Sequence, residues 1–97
     1  GVDAIRENAR RQTGIIYAGA LERGWTVNSP REFAQRGNHV TVDVPSAQQV
    51  KDELIRRGFV VDYRPGAGIR IAPHFYNRDD ECDSILEEIA GILRTLG

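Results

Sequence analysis

The 97-residue sequence has one cysteine, Cys82, and one lysine, Lys51, set against twelve arginines. A lone cysteine excludes an internal disulfide framework and fits a reducing, cytoplasmic setting. No apolar run approaches the roughly 20 residues that span a bilayer. Nor does a basic stretch followed by an apolar one open the chain, as in a secretory leader. An excess of charge of one sign is also missing. The formal net charge of −1 leaves no electrostatic footprint for nucleic acid or an anionic membrane. Catalytic patterns are equally sparse: there is no Cys/His set at metal-ligand spacing and no GxxxxGK[ST] phosphate loop. Serines are few, and neither histidine stands in an acid-and-nucleophile pattern.

What remains is an ordinary globular composition, 40% hydrophobic and 28% charged, in a chain long enough for one small domain. Ile5, Ala9, Ile16 and Ala20 mark one face of a helix from about Val2 to Arg23, with Gly24 as its stop. That helix starts without a capping residue, which suggests a cut through a longer element or an artificial boundary. A short strand, Trp25 to Val27, places Trp25 at the sheet edge, and turns around Asn28-Ser29-Pro30-Arg31 and Arg36-Gly37-Asn38 follow. Val40, Val42 and Val44 alternate with His39, Thr41 and Asp43 as in a half-buried antiparallel strand, with His39 and Asp43 on a solvated face. Ser46 and Gln49 have the spacing of a capping box for a second helix, whose buried stripe is Ala47, Val50 and Leu54 and whose end is Gly58. Lys51 lies off that stripe, as a solvated charge.

Phe59 to Tyr63 reads as a third strand, joined by the turn Arg64-Pro65-Gly66-Ala67-Gly68 to a fourth in a hairpin. The last helix begins near Asn77, a good N-cap, with Asp79, Asp80 and Glu81 at its positive end. Its apolar stripe is Cys82, Ile85, Leu86, Ile89, Leu93 and Leu96, which makes Cys82 a small core residue rather than a nucleophile. The order is α-β-β-α-β-β-α. Short connections favour an α+β fold, with a mostly antiparallel sheet of three to four strands and helices on one face.

The fourth strand carries the chemistry. Successive side chains on a strand point to opposite faces, so Ile69 and Ile71 share one and Arg70 takes the other. Two isoleucines in a core would hold the guanidinium outward, where its planar fork suits a carboxylate in a way that lysine cannot match. The commoner role of such an arginine is a surface ion pair, and strand geometry leaves both open. His74 follows past Pro73, as a turn histidine or a site residue.

Gly37-Asn38-His39-Val40-Thr41-Val42-Asp43-Val44, the second helix and the segment from Phe59 to Asn77 resemble the C-terminal small domain of fold-type I pyridoxal-phosphate enzymes. Within these the chain is similar to the class V aminotransferase group, in which kynureninase is the nearest member. The blocks RGFVVDYR and IRIAPHFYN carry most of the likeness, together with ERGWTVNSPRE before them. The chain departs from the kynureninase form at Asn77-Arg78-Asp79-Asp80-Glu81, which looks more like the general class V helix start.

The resemblance implies that residues 1–97 form one small domain, the C-terminal part of a larger two-domain enzyme. Arg70, at the arginine of the family's IR strand, would bind the α-carboxylate of an amino-acid substrate; Tyr76 and Asn77 stand near the same motif. It implies pyridoxal phosphate in the full-length enzyme, a preceding large domain that binds it, and a homodimer. Such enzymes need a Schiff-base lysine and an aspartate at the pyridinium nitrogen. Lys51 does not fit the first role, so no cofactor is expected on this chain alone. Kynureninase-like hydrolysis is the leading reaction, with class V transamination or cysteine desulfuration as alternatives. A stand-alone α+β binding or dimerisation module is the rival class.

Overall fold

Alternating valines and isoleucines build the centre of the molecule. The computed structural model describes residues 2–30, 32, 35, 38–72 and 78–96. Its strands are β1 (Thr26–Val27), β2 (Val40–Asp43), β3 (Val61–Arg64) and β4 (Gly68–Ile71). They form one sheet in the order β1-β2-β4-β3, every neighbouring pair antiparallel. Val40 stands opposite Ile71 and Val42 opposite Ile69, and all four are fully buried. Each contributes about 1.5–3 kcal/mol by leaving water. This fixes the register, because a slip of one residue would turn all four to the other face.

Among the described residues, three helices cover that apolar face: α1 (Val2–Glu22), α2 (Ala47–Arg56) and α3 (Asp79–Leu96). Helix α1 lies over β1 and β2, α2 lies over β3 and β4, and α3 packs against both helices. Ile16 and Ala20 of α1, Val50 and Leu54 of α2, and Ile85, Leu86 and Ile89 of α3 meet the sheet in one core cluster. The α+β class and the order α-β-β-α-β-β-α are those the sequence predicts. Cys82 is fully buried in the same cluster, where burial, ahead of the nearby carboxylates, pushes its thiol up to about 11. It stays protonated and inert.

Helices α1 and α2 end in the same hydrogen-bond pattern. After α1 the Trp25 amide donates to the Ala20 carbonyl and the Gly24 amide to that of Leu21, both at 3.0 Å. After α2 the Phe59 amide donates to Leu54 and the Gly58 amide to Ile55 at the same distance. This is a Schellman closure, in which the glycine takes the left-handed conformation that releases the chain from the helix.

Ion pairs tie the helices together at the surface. Arg57 bridges Glu53 and Glu88, at 2.9 and 2.7 Å, and so links α2 to α3. Hydrogen bonds from Arg56 and Arg57 hold the Glu53 carboxyl down to about 2. Arg11 of α1 clasps Asp79 at the start of α3 through Nε and Nη2, at 2.7 and 3.1 Å.

Several expectations are corrected. Ile5 is 70% exposed rather than part of the buried stripe of α1. Buried polar residues extend that stripe instead: the Thr13 hydroxyl bonds back to the Ala9 carbonyl at 2.8 Å, and Gln12 reaches Asp79 at 3.4 Å. The capping box does not form. Ser46 is left-handed, with φ of 55°, and its side chain makes no cap hydrogen bond, because that backbone turns the hydroxyl away from the first helical amides. The third strand starts at Val61, since Phe59 and Val60 complete the exit from α2, and Val60 is half exposed. Trp25 lies just before β1, with the Arg23 guanidinium 5.8 Å from its ring centre. On α3, Leu96 is half exposed and Ile92 takes its place in the core. The predicted Asn77 cap and the turn residues Arg31, Arg36 and Gly37 lie outside the described residues.

At Gly68 the backbone of β4 lies close against β2. Its φ is +123°, and a Cβ there would run into the Val42 carbonyl oxygen and lie 2.7 Å from the Asp43 Cα. Gly68→Ala should therefore destabilise the domain by about 2–4 kcal/mol. Gly14, in the middle of α1 with open space around it, should respond oppositely, gaining about 0.5–1 kcal/mol as alanine. Urea unfolding midpoints of the two variants check both.

Candidate functional site

The face of the sheet turned away from the helices carries the polar residues of all four strands. Ile69 and Ile71 are fully buried, so Arg70 between them must project outward, as its spacing predicts. Antiparallel register sets Thr41 of β2 on one side of Arg70 and Asp62 of β3 on the other. Arg64, two residues beyond Asp62, shares the same face.

Asp62 is the feature that the sequence reading missed. The Arg70 Nη2 donates to Asp62 Oδ2 at 3.0 Å, and the Arg64 Nε lies 3.7 Å from the same oxygen. The other carboxylate oxygen, Oδ1, accepts the backbone amide of Tyr63 at 2.8 Å. Arg70 therefore does have a carboxylate partner inside the domain. The pair is open rather than buried, with side-chain exposures of 34% for Arg70 and 56% for Asp62. Such pairs contribute little, about 0–1 kcal/mol.

Neighbouring groups complete the patch. Thr41 is buried, and its amide donates to the Ser29 hydroxyl at 2.9 Å. The Asn28 amide donates to the Thr41 carbonyl at 2.8 Å, and its side chain donates to the Ala67 carbonyl at 2.6 Å, so the exit from β1 is sewn to the β3–β4 turn. His39 is half-buried rather than solvated. Burial, and then the charges of Arg70 and Arg64, hold its imidazole below the usual 6.5. His39 is thus neutral at pH 7, beside two fixed cations. His74, Tyr76 and Asn77 lie outside the described residues.

Lys51 takes no part in this patch. It sits on α2, over the opposite face of the sheet, and its side chain is largely buried rather than solvated, with its amine paired to Asp52. The sheet stands between Lys51 and Arg70, so the two cannot serve one reaction centre within this domain. The described residues do not fit pyridoxal phosphate as a Schiff-base site. Among them, no group of three or more His, Cys, Asp or Glu side chains could hold a metal ion. No described helix is long and apolar enough to cross a membrane.

Comparison with known proteins fits this arrangement. The family described as "Kynureninase C-terminal domain" matches residues 5–89. The chain belongs to the kynureninase C-terminal domain family. It is 28% identical over 86 residues to the kynureninase of Bacillus anthracis and, equally, to that of Bacillus cereus. The kynureninase of Bacillus thuringiensis subsp. konkukian is 27% identical over the same length. Each match covers 84% of this chain and 20% of the relative, so the chain spans about a fifth of the length of the kynureninases it matches. No solved structure matches significantly. The match takes in β2, α2, β3 and β4, and with them Arg70, Asp62 and Arg64.

The His39 geometry gives a direct check on where Arg70 points. A neutral imidazole held low means that the unfolded chain takes up a proton at a higher pH than the folded one. Stability should therefore fall as pH drops below 6.5. Followed by NMR, the His39 titration should have its midpoint below 6.5. In Arg70→Ala the midpoint should move up, while the domain's stability changes by less than about 1 kcal/mol.

Proposed function

We propose that this domain is the carboxylate-holding part of a kynureninase-like enzyme, with Arg70 binding the α-carboxylate of the amino-acid substrate. One observation carries the reading: a guanidinium held outward by two fully buried isoleucines, on the sheet face that the helices leave open. A clasp on both carboxylate oxygens fixes rotation about the substrate Cα, and so selects which bond is presented to the reacting group. Membership of the kynureninase family supports an amino-acid substrate, kynurenine being the one for which the family is named. The reaction is then hydrolytic.

In this reading the cofactor is pyridoxal phosphate. It and its lysine belong to a preceding large domain of the complete protein, a homodimer of the cytoplasm. Ile5, exposed near the start of α1, is suited to pack against that larger part. The domain by itself supplies binding and orientation, not the covalent chemistry.

The Asp62 pair favours a second reading, in which Arg70 merely closes a cross-strand ion pair. Kinetics of the full-length enzyme separate the two. If Arg70 holds substrate, Arg70→Ala should cost about 2–5 kcal/mol in kcat/KM. Arg70→Lys should recover little, because a point charge cannot restore a two-pronged clasp. Near-normal turnover by Arg70→Ala would leave only the ion-pair reading.

A further inference from the structure

The arrangement around Asp62 is lopsided. Its Oδ1 accepts the Tyr63 amide, which fixes the carboxyl group against its own strand. Arg70 meets Oδ2, and that oxygen also faces Arg64. So oriented, the carboxylate makes one hydrogen bond to Arg70 and not a fork. It takes one hydrogen of Nη2, whereas a guanidinium carries five donors. Two cations against one anion also leave one positive charge uncompensated in the trio, which equals the charge of one substrate carboxylate. Asp43, on the same face, lies towards the β1 edge opposite Thr26, two residues beyond Thr41.

We infer that Asp62 is a positioning residue for substrate capture: anchored by the Tyr63 amide, it holds one nitrogen of Arg70 and aims the rest of the fork at the incoming carboxylate. The inference rests on the reading of Arg70 as the substrate's carboxylate ligand. Three consequences follow from the geometry. Asp62 acts through Arg70 and does not touch substrate. It limits the rotamers of a long side chain before binding, so the ordering cost is met in advance. It needs both carboxylate oxygens, one for the anchor and one for Arg70. Asparagine offers only one acceptor and would turn an amide donor towards Tyr63 N–H or towards Arg70.

The test uses the full-length enzyme with Asp62→Ala, Asp62→Asn, Arg70→Ala and the Ala/Ala double variant, each checked for unchanged circular dichroism. Asp62→Ala should raise KM about ten-fold with kcat within about three-fold, as for losing a hydrogen bond to a charged group. Asp62→Asn should resemble alanine. In the Arg70→Ala background, removing Asp62 should lower kcat/KM no further, because the group it positions is gone. A KM that stays put or falls in Asp62→Ala, with Arg70→Ala still severe, would overturn the positioning role alone. So would an Asp62 effect that persists undiminished without Arg70. Near-normal kinetics in Arg70→Ala would remove the carboxylate reading and this inference with it.

Discussion

Everything proposed for this domain depends on burying Ile69 and Ile71 together. Two fully buried isoleucines on a four-residue strand leave the residue between them no route but outward. Their register partners, Val40 and Val42, are equally buried, so the sheet cannot slip without exposing four apolar side chains. Several kcal/mol of burial thus hold the position of one charged group whose own ion pair contributes little. The rigid half of the site is apolar, and only its tip is polar.

The division of labour between the two faces follows from the same alternation. On one face, α1, α2 and α3 complete a continuous core and the lone lysine is turned away from the site. On the other, His39, Thr41, Asp43, Arg70, Asp62 and Arg64 form a polar face with two arginines and two carboxylates, and with an imidazole whose proton affinity is lowered by burial and by its arginine neighbours. That division is what the proposed capture of a carboxylate requires. The chain belongs to the kynureninase C-terminal domain family and spans about a fifth of the length of the kynureninases it matches, so under the proposal the reacting groups reside elsewhere.

Much of this was legible in the sequence, wherever one strong periodicity settled the matter. The valines of β2, the isoleucines of β4 and the stripe of α3 predict their elements and their buried faces. The Gly24 and Gly58 stops are equally plain, because a Schellman closure calls for a left-handed residue. Asp62 was missed although a signal existed. Counting outward from the turn centred on Gly66 pairs Arg64 with Gly68 and Asp62 with Arg70, which is the observed register. The capping box failed for a reason the residue types do not carry: Ser46 has a cap's side chain, but the tight turn after Pro45 gives it a left-handed backbone. Ile5 kept the right spacing for the stripe of α1, yet no described element of this domain reaches that far along the helix to cover it.

The most direct measurement is a crystal structure of the full-length enzyme with an unreactive analogue of its amino-acid substrate. The α-carboxylate should lie on the open face of the sheet, with its two oxygens about 3 Å from two nitrogens of Arg70 and Asp62 still on Nη2. An analogue whose carboxylate is held by other residues, with Arg70 paired only to Asp62, would contradict the account.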